Sequence, residues 1–193
     1  MEKRLKMETN RNPVWDWIKA FSIAVILAVV IREFLFTNYI VHGESMMPTI
    51  QDGNRLIINK IGYNVGNPDR FDLIVFHANE EEDYIKRVIG LPGDTIEYRD
   101  DVLYINGKAV EEPYLERYKK QVLNGNLTEN FTLEEKTGRK VVPEGHLFLL
   151  GDNRLHSYDS RHIGFVEMDK VVGKVNLRYW PLEEIDVSFR SNQ

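Results

Sequence analysis

The sequence predicts a mainly β protein: an antiparallel β domain carried behind one N-terminal helix. Three observations point there. One long apolar run lies near the start, short apolar stretches punctuated by Gly, Pro, Asn and Asp follow it, and helical periodicity after it is weak. A chain of 193 residues can bury one good core but hardly two.

The helix comes first. Residues 1–14 carry Lys3, Arg4, Lys6 and Arg11 against Glu2 and Glu8 and read as a polar tail. Residues 15–36 change character: positions 20–31 hold no charge, and Val14, Trp15, Trp17, Ile18 and positions 34–36 extend the apolar run. At ~1.5 Å of rise per residue, ~22 residues reach across a ~30 Å hydrocarbon layer. Asp16, Lys19, Arg32 and Glu33 fall near its ends, where long side chains reach headgroups, and Trp15 and Trp17 suit an interfacial belt. A buried core helix and a removed signal peptide are the competing readings. No small-x-small site comes soon after Ile31, where Phe34, Leu35, Phe36, Asn38 and Tyr39 follow, so an uncleaved transmembrane anchor is expected. The basic tail then stays in the cytoplasm and residues 37–193 lie outside.

The strands follow in order. Residues 39–41 form a brief extended run, 55–59 follow the Asp52-Gly53 turn, and in 72–76 Asp72 leads four apolar residues. Residues 84–89 end at Gly90, after which Leu91-Pro-Gly-Asp94 is turn chemistry. Residues 95–98, 102–105 and 108–110 read as hairpin strands, with Asn106-Gly107 as one turn. Residues 141–143, 146–150 and 171–180 complete the set. Between them, residues 111–139 are charged and polar and read as a solvated insertion or loop.

Composition excludes several functions. A net charge of -5 gives no basic footprint for nucleic acid. The absence of cysteine removes disulfides, thiol nucleophiles and thiolate zinc sites, and the five histidines show no metal-ligand spacing. No metal and no cofactor are implied.

One serine stands out. Ser45 lies in Gly43-Glu-Ser-Met-Met-Pro-Thr-Ile50, just after the apolar run, where Gly43 permits unusual dihedrals and Pro48 fixes the chain beyond it. The pattern is not the Gly-x-Ser-x-Gly elbow of α/β-hydrolases. A serine hydroxyl needs a base within hydrogen-bond reach. Two stretches offer one. Tyr84-Ile-Lys-Arg-Val-Ile-Gly-Leu-Pro-Gly-Asp94 supplies Lys86 among Ile85, Val88 and Ile89; a lysine acting as base must have its pKa pulled down by burial. Arg87, one position on, alternates to the opposite face of a strand. Gly151-Asp-Asn-Arg-Leu-His-Ser-Tyr-Asp-Ser-Arg161 supplies His156 with Asp152 or Asp159, the pieces of a conventional triad.

All three stretches resemble the boxes of bacterial type I signal peptidases of the Gram-positive kind, membrane-anchored serine proteases with a Ser-Lys dyad. The resemblance implies an antiparallel signal peptidase/LexA-like fold, Ser45 as nucleophile and Lys86 as general base. It further implies that Ser157 hydrogen-bonds and orients the lysine amine and that Asp159 pairs with Arg161 to brace the site, while Asp152, Asn153 and Arg154 are expected to hold the same turn. Gram-negative members carry a serine two residues before the nucleophile; Gly43 stands there instead. The oxyanion donors expected are therefore the Ser45 amide and, with less to support it, the Gly43 backbone. Substrate would pair with strand edges at 39–43 and before Lys86. Val41, Gly43, Met46, Ile50, Tyr84 and Ile85 would shape shallow pockets for small side chains at the first and third positions before the cut. The implied partners are preprotein signal peptides and membrane lipid, with the protein monomeric in the cytoplasmic membrane.

Two other readings remain distinct in kind. A soluble self-cleaving Ser-Lys repressor would need a helix-turn-helix where this chain has its apolar run. A membrane-anchored binding module that holds exported chains without cutting them would have no use for intact catalytic boxes.

Overall fold

The computed structural model describes residues 13–60, 67–123, 125–187 and 189. Positions 1–12 of the polar tail lie outside these, as do the side chains of Ala28 and of residues 30–36. The chain divides into two units, Met1–Leu35 and Phe36–Gln193.

The first unit contains helix α1 (Pro13–Leu35), 23 residues long. Proline suits the first helical position, where its missing N–H costs nothing. Apolar side chains are exposed all round it, Trp17 and Phe21 by 77% and 73%. Among the described residues no helix is long and apolar enough to cross a membrane.

The second unit is antiparallel β, in agreement with the predicted class. Its larger sheet has seven strands: β1 (Phe36–Ile40), β2 (Arg55–Asn59), β3 (Leu73–His77), β4 (Asp83–Gly90), β9 (His146–Leu150), β10 (Val166–Glu167) and β11 (Val171–Trp180), in spatial order β1-β2-β11-β3-β4-β9-β10. The smaller sheet has β5 (Ile96–Arg99), β6 (Val102–Ile105), β7 (Lys108–Val110) and β8 (Phe131–Thr132), in order β7-β6-β5-β8.

Strand alternation explains where the core lies. In β3, Leu73 and Val75 join one cluster with Val41, Met46, Ile50, Leu56 and Ile58, while Ile74 and Phe76 join another with Val88, Leu147 and Leu149. A strand covered on both faces reads as an unbroken apolar run, as this one does. In β9, Phe148 and Leu150 turn the other way, into a third cluster with Ile89 and with Ile96, Tyr98 and Leu103 of the small sheet. The small sheet is thus fastened to the strands that carry the site.

Both tight turns of the β5-β6-β7 meander use left-handed residues: Asp100 and Asp101 at φ 52 and 61, then Asn106 and Gly107 at φ 52 and 76. That is the turn twist two-residue hairpins require, and Asn and Asp tolerate it best among side-chain-bearing residues.

Two expectations need correction. Residues 141–143 form no strand, although Val142 is buried and its amide and carbonyl bond Asp94 and Gly93. The insertion at 111–139 is not a solvated loop. It contains a 3-10 turn (Pro113–Leu115), short helices at Glu116–Lys119 and Leu133–Thr137, and strand β8. Leu115, Leu127, Phe131 and Leu133 are buried, but their spacing is irregular and shows no sustained helical or strand period. Asp101 accepts the amides of Leu127 and Thr128, and Thr132 with Glu135 forms a capping box.

Gly173 of β11 lies against the β2 backbone: a Cβ there would sit 2.4 Å from the carbonyl oxygen of Asn59. Main chain inside a sheet cannot step aside as a side-chain tip can. Gly173→Ala should therefore destabilise the domain by roughly 1–3 kcal/mol, read from chemical unfolding.

Candidate active site

The stretch between β1 and β2 turns sharply at Gly43, whose φ of +93 favours glycine, and then winds through Ser45 to Ile50. Its amide hydrogen bonds run from Met47 to Glu44 and from Ile50 to Met46. Asn153 holds this loop from outside: its amide donates to the Ser45 carbonyl at 3.0 Å and its side chain to the Glu44 carbonyl at 3.1 Å. Contact is close. A Cβ on Gly151 would lie 2.5 Å from the Ser45 carbonyl oxygen and 2.1 Å from Ser157 Oγ, so only glycine fits.

Lys86, near the middle of β4, reaches the same point. Its Nζ lies 2.8 Å from Ser45 Oγ and donates to the Ile85 carbonyl at 3.1 Å. The side chain is almost wholly buried, with the Tyr84 ring 5.1 Å from Nζ. Burial disfavours the ammonium and lowers the pKa from 10.5 to about 8, while the Asp159 and Asp152 carboxylates act in the opposite sense.

Those two carboxylates are each matched by a guanidinium. Asp152 takes a two-pronged pair from Arg87, Nε to Oδ1 at 2.8 Å and Nη2 to Oδ2 at 2.6 Å, and also accepts from Thr49 Oγ1 at 2.5 Å. Asp159 accepts from Arg161 Nε and Nη2, both at 2.9 Å, and from the Gly151 and Arg161 amides. Burial pushes the Asp159 carboxyl up, but Arg161 and these amides outweigh it and leave the group below its usual value.

In front of Ser45 and Lys86 opens a groove of about 370 Å³. One wall runs from Tyr39 to Met46 and the other from Asp83 to Lys86, with His156 and Tyr158 completing the rim. Strand β1 is the edge of its sheet. Residues 83–86 of β4 pair with β3, and the pairing of β4 with β9 begins only at Arg87. Two strand edges therefore face the groove. At its far end Tyr39 donates to Asp83, whose other oxygen is 2.6 Å from His77 Nδ1. Burial, then Asp83, raises the Tyr39 phenol pKa.

Of the residues named from sequence, Ser45, Lys86, Val41, Gly43, Met46, Tyr84 and Ile85 all line this groove. Ile50 does not: it is completely buried in the core with Leu56 and Ile58, because its loop folds inward after Pro48. Ser157 Oγ is buried without a hydrogen-bond partner, so it does not hold the lysine amine, which bonds Ser45 and Ile85 instead. The Gly43 amide is already committed to Asp52 Oδ1 at 2.8 Å and is not available as an oxyanion donor. The Ser45 amide donates to no group among the described residues. His156 lines the rim, yet both candidate triad carboxylates are engaged by arginines rather than by its ring.

Sequence reasoning missed Thr49 and the Tyr39-Asp83-His77 chain, and it gave Asn153 only the task of holding its own turn, whereas its bonds reach the Ser45 loop. It also missed that Arg87, turned away from Lys86, is completely buried against Asp152. The one available signal for Arg87 was a second cation inside an otherwise apolar strand.

Residues 14–180 match the pattern of the family described as signal peptidase, peptidase S26. The chain belongs to that family. Among its relatives, the signal peptidase I of Bacillus caldolyticus is 54% identical over 184 residues, covering 95% of this chain and 99% of that protein. The signal peptidase IB of Staphylococcus aureus strain MRSA252 is 41% identical over 183 residues, covering 93% and 96%. A crystal structure of a signal peptidase I from Enterococcus faecalis V583 aligns with a TM-score of 0.54 at 50% identity, covering 57% of this chain and 97% of that one. Membership brings the groove, the serine and the lysine into one family context.

The Arg87-Asp152 pair is fully buried on both sides. Removing one partner strands the other charge away from water. Asp152→Asn should lower the unfolding free energy by roughly 3–5 kcal/mol, measured by denaturant titration.

Proposed function

We propose that this signal peptidase removes signal peptides from exported preproteins by acyl transfer through Ser45 and Lys86. The observation that carries the reading is the 2.8 Å approach of the Lys86 amine to the Ser45 hydroxyl, at the base of a groove bounded by two open strand edges. Neutral Lys86 accepts the Ser45 proton, and the alkoxide attacks the scissile carbonyl. The lysine then passes the proton to the leaving amine, and an acyl-enzyme remains. A water activated by the same amine releases it. The Ser45 amide, which donates to no group among the described residues, is positioned on the nucleophile itself and serves as one oxyanion donor.

Substrate lies extended between residues 39–43 and 83–86 and is held largely through main-chain hydrogen bonds. Val41, Met46, Tyr84 and Ile85 leave shallow apolar space beside the dyad, which favours small side chains at the first and third positions before the cut. Helix α1, though its described residues fall short of the length and apolarity of a spanning helix, is the segment that attaches the chain to the membrane in this reading. Its sequence is uncharged from residue 20 to residue 31, and its described apolar side chains between Val14 and Val29 face outward, as a lipid environment rewards. The basic residues before it keep the N-terminus in the cytoplasm, and the β unit works on the outer face.

Ser45→Ala and Lys86→Ala should each abolish cleavage of a peptide containing an Ala-x-Ala site, assayed with the full chain in detergent. Retained activity in either purified, folded variant removes the dyad. The acting form of Lys86 is the neutral amine, so activity should rise as pH increases. The logarithm of kcat/KM should climb through an apparent pKa near 8 and level off above it. A profile still climbing steeply through about pH 10, the free-lysine range, contradicts a desolvated base.

A further inference from the structure

The insertion was expected to be solvent-facing, yet it sends a carboxylate into the interior. Glu112 is 2% exposed, and its Oε1 receives three donors: Arg154 Nη2 at 2.5 Å, Tyr114 Oη at 2.7 Å and Tyr98 Oη at 2.8 Å. Its Oε2 is buried with no hydrogen-bond partner. The carboxylate is thus held from one side, and every contact it makes bears on Arg154.

Arg154 in turn grips the turn that supports the nucleophile. Its Nε donates to the Gly151 carbonyl at 3.1 Å. Within that turn, Asn153 bonds the Ser45 and Glu44 carbonyls, and Asp152 bonds Thr49. Two residues beyond Glu112, the ring of Tyr114 lies 3.8 Å from the Arg87 guanidinium, the partner of Asp152. One short turn of the insertion therefore contacts both buried arginines that fix residues 151–153.

We propose that Glu112 is a positioning residue for the reaction: through Arg154 it sets the height of the Gly151–Asn153 turn and hence the placement of Ser45 before Lys86. The inference rests on the Ser45-Lys86 reading. It assigns the insertion a part in catalysis that none of its side chains performs by touching substrate. The amide of a glutamine would preserve the volume but remove the charge that neutralises Arg154, so the guanidinium would seek other acceptors and draw the turn with it. Small displacements of a nucleophile are costly, about 100-fold for ~1 Å.

The test uses the full chain in detergent with an Ala-x-Ala peptide, and reads kcat and KM on the folded fraction. It also reads the rate at which a β-lactam-type reagent acylates serine. Glu112→Gln should lower kcat by about 10-fold or more with KM changed less than about twofold. The acylation rate should fall in parallel, and Tyr98→Phe should produce a smaller loss of the same form. Ile105→Val serves as the comparison, since it loosens the small-sheet core without touching Arg154 and should leave kcat unchanged at a similar loss of Tm. Equal kcat in Glu112→Gln and Ile105→Val overturns the proposal. Should Glu112→Gln fail to fold, Tyr98→Phe decides: unchanged kcat and acylation rate overturn the proposal, and a drop in both upholds it. Cleavage by Ser45→Ala would overturn the dyad reading instead, a result distinct from these.

Discussion

A lysine amine held dry beside a serine hydroxyl constrains everything around it. Desolvation removes the ammonium's advantage, but any unmatched carboxylate nearby would restore it and leave the nitrogen without a lone pair. The structure meets this condition by pairing. The two carboxylates that act on the amine are each matched, Asp152 by Arg87 and Asp159 by Arg161, at 2.9 Å or less. The carboxylates can shape the turn at 151–161 in charge-matched pairs, and although Asp159 and Asp152 still favour the ammonium, burial outweighs them. Such pairs add little stability relative to an apolar core, and their value here lies in geometry.

The fold supplies that geometry through three separate elements. Strand β4 carries Lys86 and Arg87 on opposite faces, so one cation is desolvated in the groove and the other is neutralised behind it. The loop after β1 carries Ser45. The turn after β9 joins them, its Asn153 on the Ser45 carbonyl and its Asp152 on Arg87. Because β4 and β9 are neighbours in the sheet, the turn and the lysine share a rigid frame.

Much of this could be read from sequence, and the divide follows the range of the interactions. The strands were legible because β-branched and aromatic runs end at Gly, Pro, Asn and Asp. Ser45 and Lys86 were legible because a short motif surrounds each. What could not be read depends on contacts distant along the chain. Nothing around Glu112 announces a partner at Arg154, 42 positions away. Ile50 resembles a pocket residue in sequence, and only the inward course of its loop sends it to the core. Ser157 was assigned by analogy to the lysine, whereas its hydroxyl packs beside Gly151. The insertion misled for a related reason: its four buried apolar residues are too irregularly spaced to show a period, and its charges dominate any local average.

The groove has a consequence beyond cutting. Unpaired strand edges accept any extended backbone, and a strand added by another copy of the chain is the usual first step toward aggregation. Glu44 and Asp83 stand on the two walls of the groove. Bringing two such openings together would oppose like charges in a partly dry space. The opening can then remain receptive to passing polypeptides while being a poor template for self-assembly.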